Sequence, residues 1–151
     1  MYVSGVILLI SNLKIFYFYR YITLLLIYFR MKIHTSMPEK LKPFFSKELE
    51  NAKIYFLNHD YRTSWHHLER AHILGQPYPY HHTLVHWKML LFGIKIKDIR
   101  EIIGQIPRLL IGGVKSFVGE VPVGNTGGVN VSPLKRMEIP GDLKNIIEEY
   151  K

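Results

Sequence analysis

The sequence has no cysteine among its 151 residues. This absence excludes disulfide bonds, cysteine-ligated zinc, iron–sulfur clusters and thiol nucleophiles. No run or stripe of Lys and Arg accompanies the net charge of +8, so nucleic acid is not an expected partner. A phosphate-binding Gly-Lys-Ser/Thr loop and a Ser-His-Asp elbow are also missing. The chain is long enough for one domain and hardly for two, and its 48% of hydrophobic residues makes a packed core feasible.

The first 36 residues lack acidic side chains and differ in composition from the rest of the chain. A membrane-spanning helix needs about 20 apolar residues with few charges, but Lys14 and Arg20 interrupt the apolar stretch. Two interpretations of residues 1–36 stay open. In the first, residues 1–36 are a spurious hydrophobic extension and the true start is Met31 or Met37. In the second, these residues anchor the chain in a membrane. We expect a cytoplasmic protein in the first case and a membrane-anchored one in the second.

The remaining residues, 37–151, predict a single all-α domain of four or five helices. Ser36-Met37-Pro38-Glu39 reads as a capping box that opens the first helix. The apolar stripe of that helix consists of Leu41, Phe45, Leu49, Ala52 and Phe56. Three further helices are expected over about 61–74, over about 81–92 and from Asp98 onward, and a short last helix ends at Tyr150. The helix pair from Leu49 to Leu74 is tetratricopeptide-like, although such units need several copies to form a stable array.

The stretch from Val121 to Pro140 is rich in glycine and proline and predicts an irregular segment folded over the helices. Its centre, Gly124–Gly128, favours a turn with positive φ at Gly127 or Gly128. Pro107 is expected to bend the fourth helix, because proline removes a helical N–H.

Four side chains are predicted to converge inside the domain: Glu69, His72, His82 and His86. Stepping 100° per residue places Glu69 and His72 on the apolar side of the second helix and turns His67 towards solvent. His82 and His86 are four residues apart and share one face of the third helix. The short turn over 76–80 makes these two helices antiparallel neighbours.

Three imidazoles and a carboxylate suit a divalent transition metal such as Zn, Fe, Mn, Ni or Cu. A di-iron site is disfavoured because Gly104 stands where a second Glu-x-x-His pair would need a histidine after Glu101. Two other interpretations stay open, a structural polar cluster and a proton-transfer catalyst. The sequence names no reaction, so it assigns no catalytic residue.

Two functions follow from these observations. The first is a small helical protein that binds metal through the inward-facing His/Glu cluster. The alternative is a helical protein-interaction module in which the cluster is purely structural, and a protein partner is expected only in that case. A membrane is an expected partner only if residues 1–36 belong to the working protein.

Three stretches form an ordered set of motifs: His67–Gln76, His82–Trp87, and Pro122–Pro133 with Ile139-Pro140 after it. They resemble an uncharacterised bacterial family, the domain-of-unknown-function family numbered thirty-seven hundred and three. The likeness covers about residues 37–147, which favours a late start, and Pro107 departs from the family pattern. The resemblance implies no established activity, substrate or cofactor. It does place His67 within a motif, in contrast to the helical wheel.

Overall fold

The computed structural model describes residues 36–118 and 122–150, with the backbone alone for residues 111–118. These residues form an all-α domain without strands, as predicted. Its helices are α1 (Lys42–Leu57), α2 (Tyr61–Gly75), α3 (Pro79–Ile96), α4 (Ile99–Val118) and α5 (Gly141–Tyr150). Helix α2 packs between α1 and α3, while α4 lies on α3 and α5 contacts α2. Within the described ranges, no helix is long and apolar enough to cross a membrane.

The extension predicted over residues 1–36 lies outside the described residues except for Ser36, so both interpretations of it stay predictions. The tetratricopeptide-like character of the first helix pair also stays a prediction. The buried hydrophobic core has members in α1, α2, α3 and α5, and its fully buried members include Leu41, Leu74, Val85, Met89 and Leu143.

Helix α1 begins later than predicted, and the capping-box assignment was wrong. Residues 36–41 form a bend and a turn, in which the N–H groups of Leu41 and Lys42 donate to the carbonyl of Pro38. Leu41 is the N-cap and makes no side-chain cap. The position of Pro43 explains this start, because proline is tolerated in the first turn, where its missing N–H has no helical partner. The predicted apolar stripe is nevertheless buried or partly buried.

Helix α2 begins where predicted, because the Asp60 carboxylate accepts a hydrogen bond from the N–H of Thr63 at 3.0 Å. Helix α3 is longer than predicted at both ends. It starts with Pro79 and continues past the predicted end near residue 92 and through Gly93 to Ile96, and its C-cap residue Lys97 takes the left-handed conformation at φ 61°. Gly93 instead allows a close approach of α4, since a Cβ there would lie 3.3 Å from the Cβ of Glu101.

Helix α4 opens at Asp98 as predicted, with the Asp98 carboxylate accepting from the N–H of Glu101 at 3.1 Å. Pro107 lies inside the helix, which continues to Val118. Residues 122–140 contain neither helix nor strand. Gly127 has a φ of 81°, which confirms the positive φ predicted at the centre of this segment. Two hydrogen bonds join this segment to the helices: Asn125 accepts from His72 of α2, and Gly127 accepts from Gln105 of α4. The segment therefore lies beside the predicted site.

Candidate metal centre

Three of the four predicted ligands meet in the interior. His72 on α2 and His82 and His86 on α3 are all buried, and they form a group whose ligand atoms are close enough to share one ion. Their Nε2 atoms make a triangle with sides of 2.9 Å (His72–His82), 3.1 Å (His82–His86) and 3.2 Å (His72–His86). The antiparallel contact of α2 and α3 brings the rings together, as the helical spacing predicts.

The outer nitrogens of two of these rings are held by acceptors. His72 donates from Nδ1 to the main-chain carbonyl of Asn125 at 2.8 Å. His86 donates from Nδ1 to the side-chain carbonyl of Gln105 at 2.7 Å. Since a neutral imidazole has one N–H, both rings present an unprotonated Nε2 to the centre of the triangle. Such outer hydrogen bonds are the usual way in which a protein fixes the tautomer of a metal-binding histidine.

The orientation of Gln105 follows from its other contacts. Its Nε2 donates to a carboxylate oxygen of Glu101 at 2.5 Å and to the carbonyl of Gly127 at 2.9 Å. Both are acceptors, so the amide oxygen must be the atom that faces His86. Glu101 also accepts from the N–H of Val129. A chain of hydrogen bonds therefore runs from a buried carboxylate through Gln105 to the His86 ring.

Asn125 organises the loop that carries this support. Its side-chain amide donates to the carbonyls of Ser132 and Lys135 and accepts from the N–H of Gly127. Gly127 in turn lies against His72, because a Cβ at this glycine would lie 2.6 Å from the ring. The positive φ and the absent side chain together let the main chain approach the imidazole. The predicted loop is thus a wall of the site.

Burial favours the neutral form of His72 and of His86. Burial, followed by the charges of His82 and His86, holds the pKa of His72 well below its usual range. Burial also lowers the pKa of His86 to about 4, although its hydrogen bond to Gln105 acts in the opposite direction. Neutral imidazole is the form that binds a metal ion.

A cavity of about 480 Å³ opens beside the three rings. Its wall includes all three histidines, Arg108 and several apolar or small residues: Gly104, Pro107, Pro122, Gly127, Pro133 and Leu134. This volume falls within the range of small-molecule sites in proteins. An ion held by the histidines would therefore have space in front of it for another ligand.

Glu69 lies outside the histidine group, although it was predicted as the fourth ligand. It is half-buried on α2, and burial raises the pKa of its carboxyl, an effect partly offset by Thr126 and Trp65. The spacing from Glu69 to His72 gave the correct side of the helix, but the two side chains contact different residues. Glu69 interacts with Thr126 and Trp65, whereas His72 donates to Asn125.

His67 does not face solvent, so the helical-wheel prediction for this residue was wrong. Its Nδ1 lies 2.6 Å from the carboxylate of Glu48, which also accepts from Arg70 at 2.8 Å. Arg70 reaches on to Asp142 of α5 at 2.6 Å. The side of α2 opposite the apolar stripe is covered by α1, which a wheel of one helix cannot show. This ion-paired network joins α1, α2 and α5 away from the three histidines.

The sequence analysis missed three residues of the site. Gln105 and Asn125 accept hydrogen bonds from the histidine rings, and Arg108 lines the cavity beside them. One signal was present, because Glu101, Gln105 and Arg108 repeat at helical spacing along α4 and form a polar stripe. Asn125 left no such signal, since its contacts depend on the fold of an irregular loop.

Comparison with known proteins gives one family. The model of the family described as Protein of unknown function (DUF3703) matches residues 39–147. No curated protein and no solved structure matches the chain. The matched range contains the three histidines and every residue assigned above to their support. The chain belongs to this family of proteins of unknown function, DUF3703.

Proposed function

We propose that the protein binds one divalent transition-metal ion through the Nε2 atoms of His72, His82 and His86. The observation that carries the proposal is the triangle of these atoms, with sides between 2.9 and 3.2 Å. Two of its corners are unprotonated nitrogens that face one another at 3.2 Å. A cation held among the three nitrogens would remove the repulsion between these two lone pairs and bind both of them.

The size of the triangle agrees with metal coordination. Three nitrogens separated by 2.9–3.2 Å could all hold one ion at about 2.0–2.1 Å, the usual distance between a metal and an imidazole nitrogen. Three ligands on one side of an ion leave its other side open, as in catalytic rather than closed structural sites. The all-nitrogen set favours Zn, Cu, Ni or Fe over Mn, which prefers carboxylate oxygen.

Metal analysis of the full chain, purified without a histidine tag, tests this proposal. We expect one ion per chain after loading with Zn²⁺ or Co²⁺, and an increase in Tm that chelator reverses. His86→Ala should abolish the stoichiometric ion, whereas the matched control His66→Ala, at an exposed position of α2, should retain it. Absence of stoichiometric metal and of any thermal shift in the unmodified chain would refute the proposal.

The variant Glu69→Gln separates the three-ligand set from the four-ligand set predicted by sequence. If the three histidines suffice, its metal affinity should match that of the unmodified chain within about threefold, since no ligand atom is lost. A loss comparable to that of His86→Ala would return Glu69 to the ligand set.

A protein-interaction module is the second candidate because α4 exposes an apolar stripe: Ile99, Ile103, Ile106 and Leu110. Contiguous exposed apolar surface is typical of interaction sites. If the stripe joins two copies of the chain, sedimentation should give a dimer that Ile103→Glu dissociates. A monomer at every concentration, with or without the substitution, would count against this candidate.

A further inference from the structure

The cavity beside the three histidines is lined, among the described residues, by a cationic side chain but by no acidic one. Arg108 is its one ionic residue other than the histidines, and no Asp or Glu occurs among the described residues that line it. The three imidazoles are neutral as ligands, so they leave the double charge of a bound ion uncompensated. Ion and guanidinium together would place about three positive charges at one cavity, and the buried Glu101 carboxylate, which interacts with Arg108, would offset only part of them.

Arg108 is held in place at the wall of this cavity. Its guanidinium donates to the carbonyls of Gly127 at 2.5 Å and Val131 at 2.6 Å. These bonds use two of the five N–H donors of the side chain and leave donors for a further acceptor. Arg108 lines the same cavity as His72, His82 and His86, which places its charge beside the proposed metal position.

Apart from the polar residues Gln76, Asn125 and Ser132, the rest of the wall is apolar or small. Pro107 lies on one side, Pro122 and Pro133 come from the irregular segment, and Leu134 is exposed at the mouth. A purely inorganic anion would satisfy the charge but leave these surfaces in contact with water. An anion with an apolar body fits both the positive charge and the apolar wall, because burying its hydrocarbon surface adds to the charge attraction.

We propose that this cavity binds a small organic carboxylate, whose carboxylate group completes the coordination of the metal beside Arg108 and whose apolar body lies among Pro107, Pro122 and Pro133. This inference depends on the proposed metal site. It goes further by naming the class of ligand and by assigning Arg108 as a specificity-determining residue. Carboxylate oxygen is an ordinary ligand for the metals that imidazole binds.

Titration of the cobalt-loaded full chain tests the inference, because the visible spectrum of Co²⁺ reports the ligands around the ion. We expect hexanoate to change the spectrum at concentrations lower than acetate by about tenfold or more, since its longer chain buries more apolar surface. Hexanol, which has the same apolar chain without the charge, should leave the spectrum unchanged. Inorganic phosphate should bind more weakly than hexanoate.

Arg108→Gln should weaken hexanoate binding by about tenfold or more, the effect of losing one charge-assisted contact. Arg100→Gln is the matched control, because it removes the same charge from an exposed position of the same helix and should not alter hexanoate binding. A cobalt spectrum that hexanoate does not change, or that responds equally in Arg108→Gln, overturns this inference alone. A chain that gives no cobalt spectrum overturns both this inference and the proposed metal site.

Discussion

Helices α1 and α4 use amphipathic sequence in opposite ways. In α1 the apolar residues Phe45 and Ala52 are buried, as in most surface helices. In α4 the polar residues Glu101 and Gln105 are 5% and 0% exposed, while Ile103 and Leu110 are 64% and 76% exposed. Burial of polar groups costs free energy unless each finds a hydrogen-bond partner. The orientation of α4 is therefore explained by what its polar face meets, namely His86, the loop carbonyls and the cavity.

The buried charge of α1 sharpens this contrast. Glu48 is also largely buried, but its partners are the oppositely charged Arg70 and the ring of His67. Among the described residues, that network joins three helices and includes none of the three buried histidines. Gln105 instead connects a carboxylate to a ring whose other nitrogen points at a candidate ion. Similar burial thus supports packing in one helix and positioning of the site in the other.

The largest expected effect comes from truncating the apolar face of α1. Phe45→Ala should lower the free energy of unfolding by about 3–5 kcal/mol, because it removes a buried aromatic ring and leaves a cavity. Chemical denaturation measures this loss. The metal affinity of the fraction that stays folded should be unchanged, and a parallel loss of affinity would show that α1 and the site are not separable.

A smaller loss of stability but a specific loss of affinity is expected in α4. Gln105→Leu leaves the N–H of His86, the carbonyl of Gly127 and the Glu101 carboxylate without this partner, which should cost about 1–3 kcal/mol. Metal affinity should fall by about 10–100-fold, as for other groups that orient a ligand. Calorimetric titration with Zn²⁺ measures the affinity. The neighbouring control Ile103→Gln, on the exposed side of the same helix, should change neither quantity appreciably.

The smallest expected effect concerns pH and the network around Glu48. The hydrogen bond from Arg70 holds the pKa of Asp142 below its usual value. A lowered pKa in the folded state contributes stability above the unfolded-state pKa, and this contribution is lost as pH falls through the folded-state value. Asp142→Asn should therefore flatten the acid side of the stability profile slightly, with less than about 1 kcal/mol at neutral pH because the carboxylate is largely exposed.

Denaturation midpoints of the metal-free chain and of Asp142→Asn, measured between neutral and acidic pH, test this expectation. If the two profiles stay parallel throughout, the ion pair of Arg70 with Asp142 contributes nothing to folding.

The sequence predicts those parts of the site that depend on neighbouring helices. The positions of His72, His82 and His86 follow from helical spacing and a short turn, and the structure brings these residues together. The assignment of Glu69 was less successful, because a wheel gives the direction of a side chain but not its distance from the next helix. Asn125 lies 53 residues from its partner His72 in the chain, and no local pattern encodes such a contact.

The incorrect start predicted for α1, like the assignment of Glu69, comes from a pattern that considers only neighbouring residues in the sequence. Ser36 and Glu39 have the spacing of a capping box, but the helix begins at Lys42, with Pro43 in its first turn. The polar stripe of α4 is visible in the sequence, but the usual rule that apolar residues face inward does not hold for this helix. Helix content was thus predictable, whereas the choice of buried face required knowledge of the polar groups that α4 meets.

The contact of Gly127 with the His72 ring has a consequence for the kinetics of metal exchange. Main chain lies against this side of the imidazole at a distance that leaves no room for a Cβ, and hence none for a competing ligand to approach from the same side. An ion bound at the proposed site would be reached through the cavity, whose wall includes the prolines and Leu134. If such an ion binds, small chelators should remove it faster than bulky ones of equal affinity, because access through the cavity would then affect its residence time as well as the strength of the metal–nitrogen bonds.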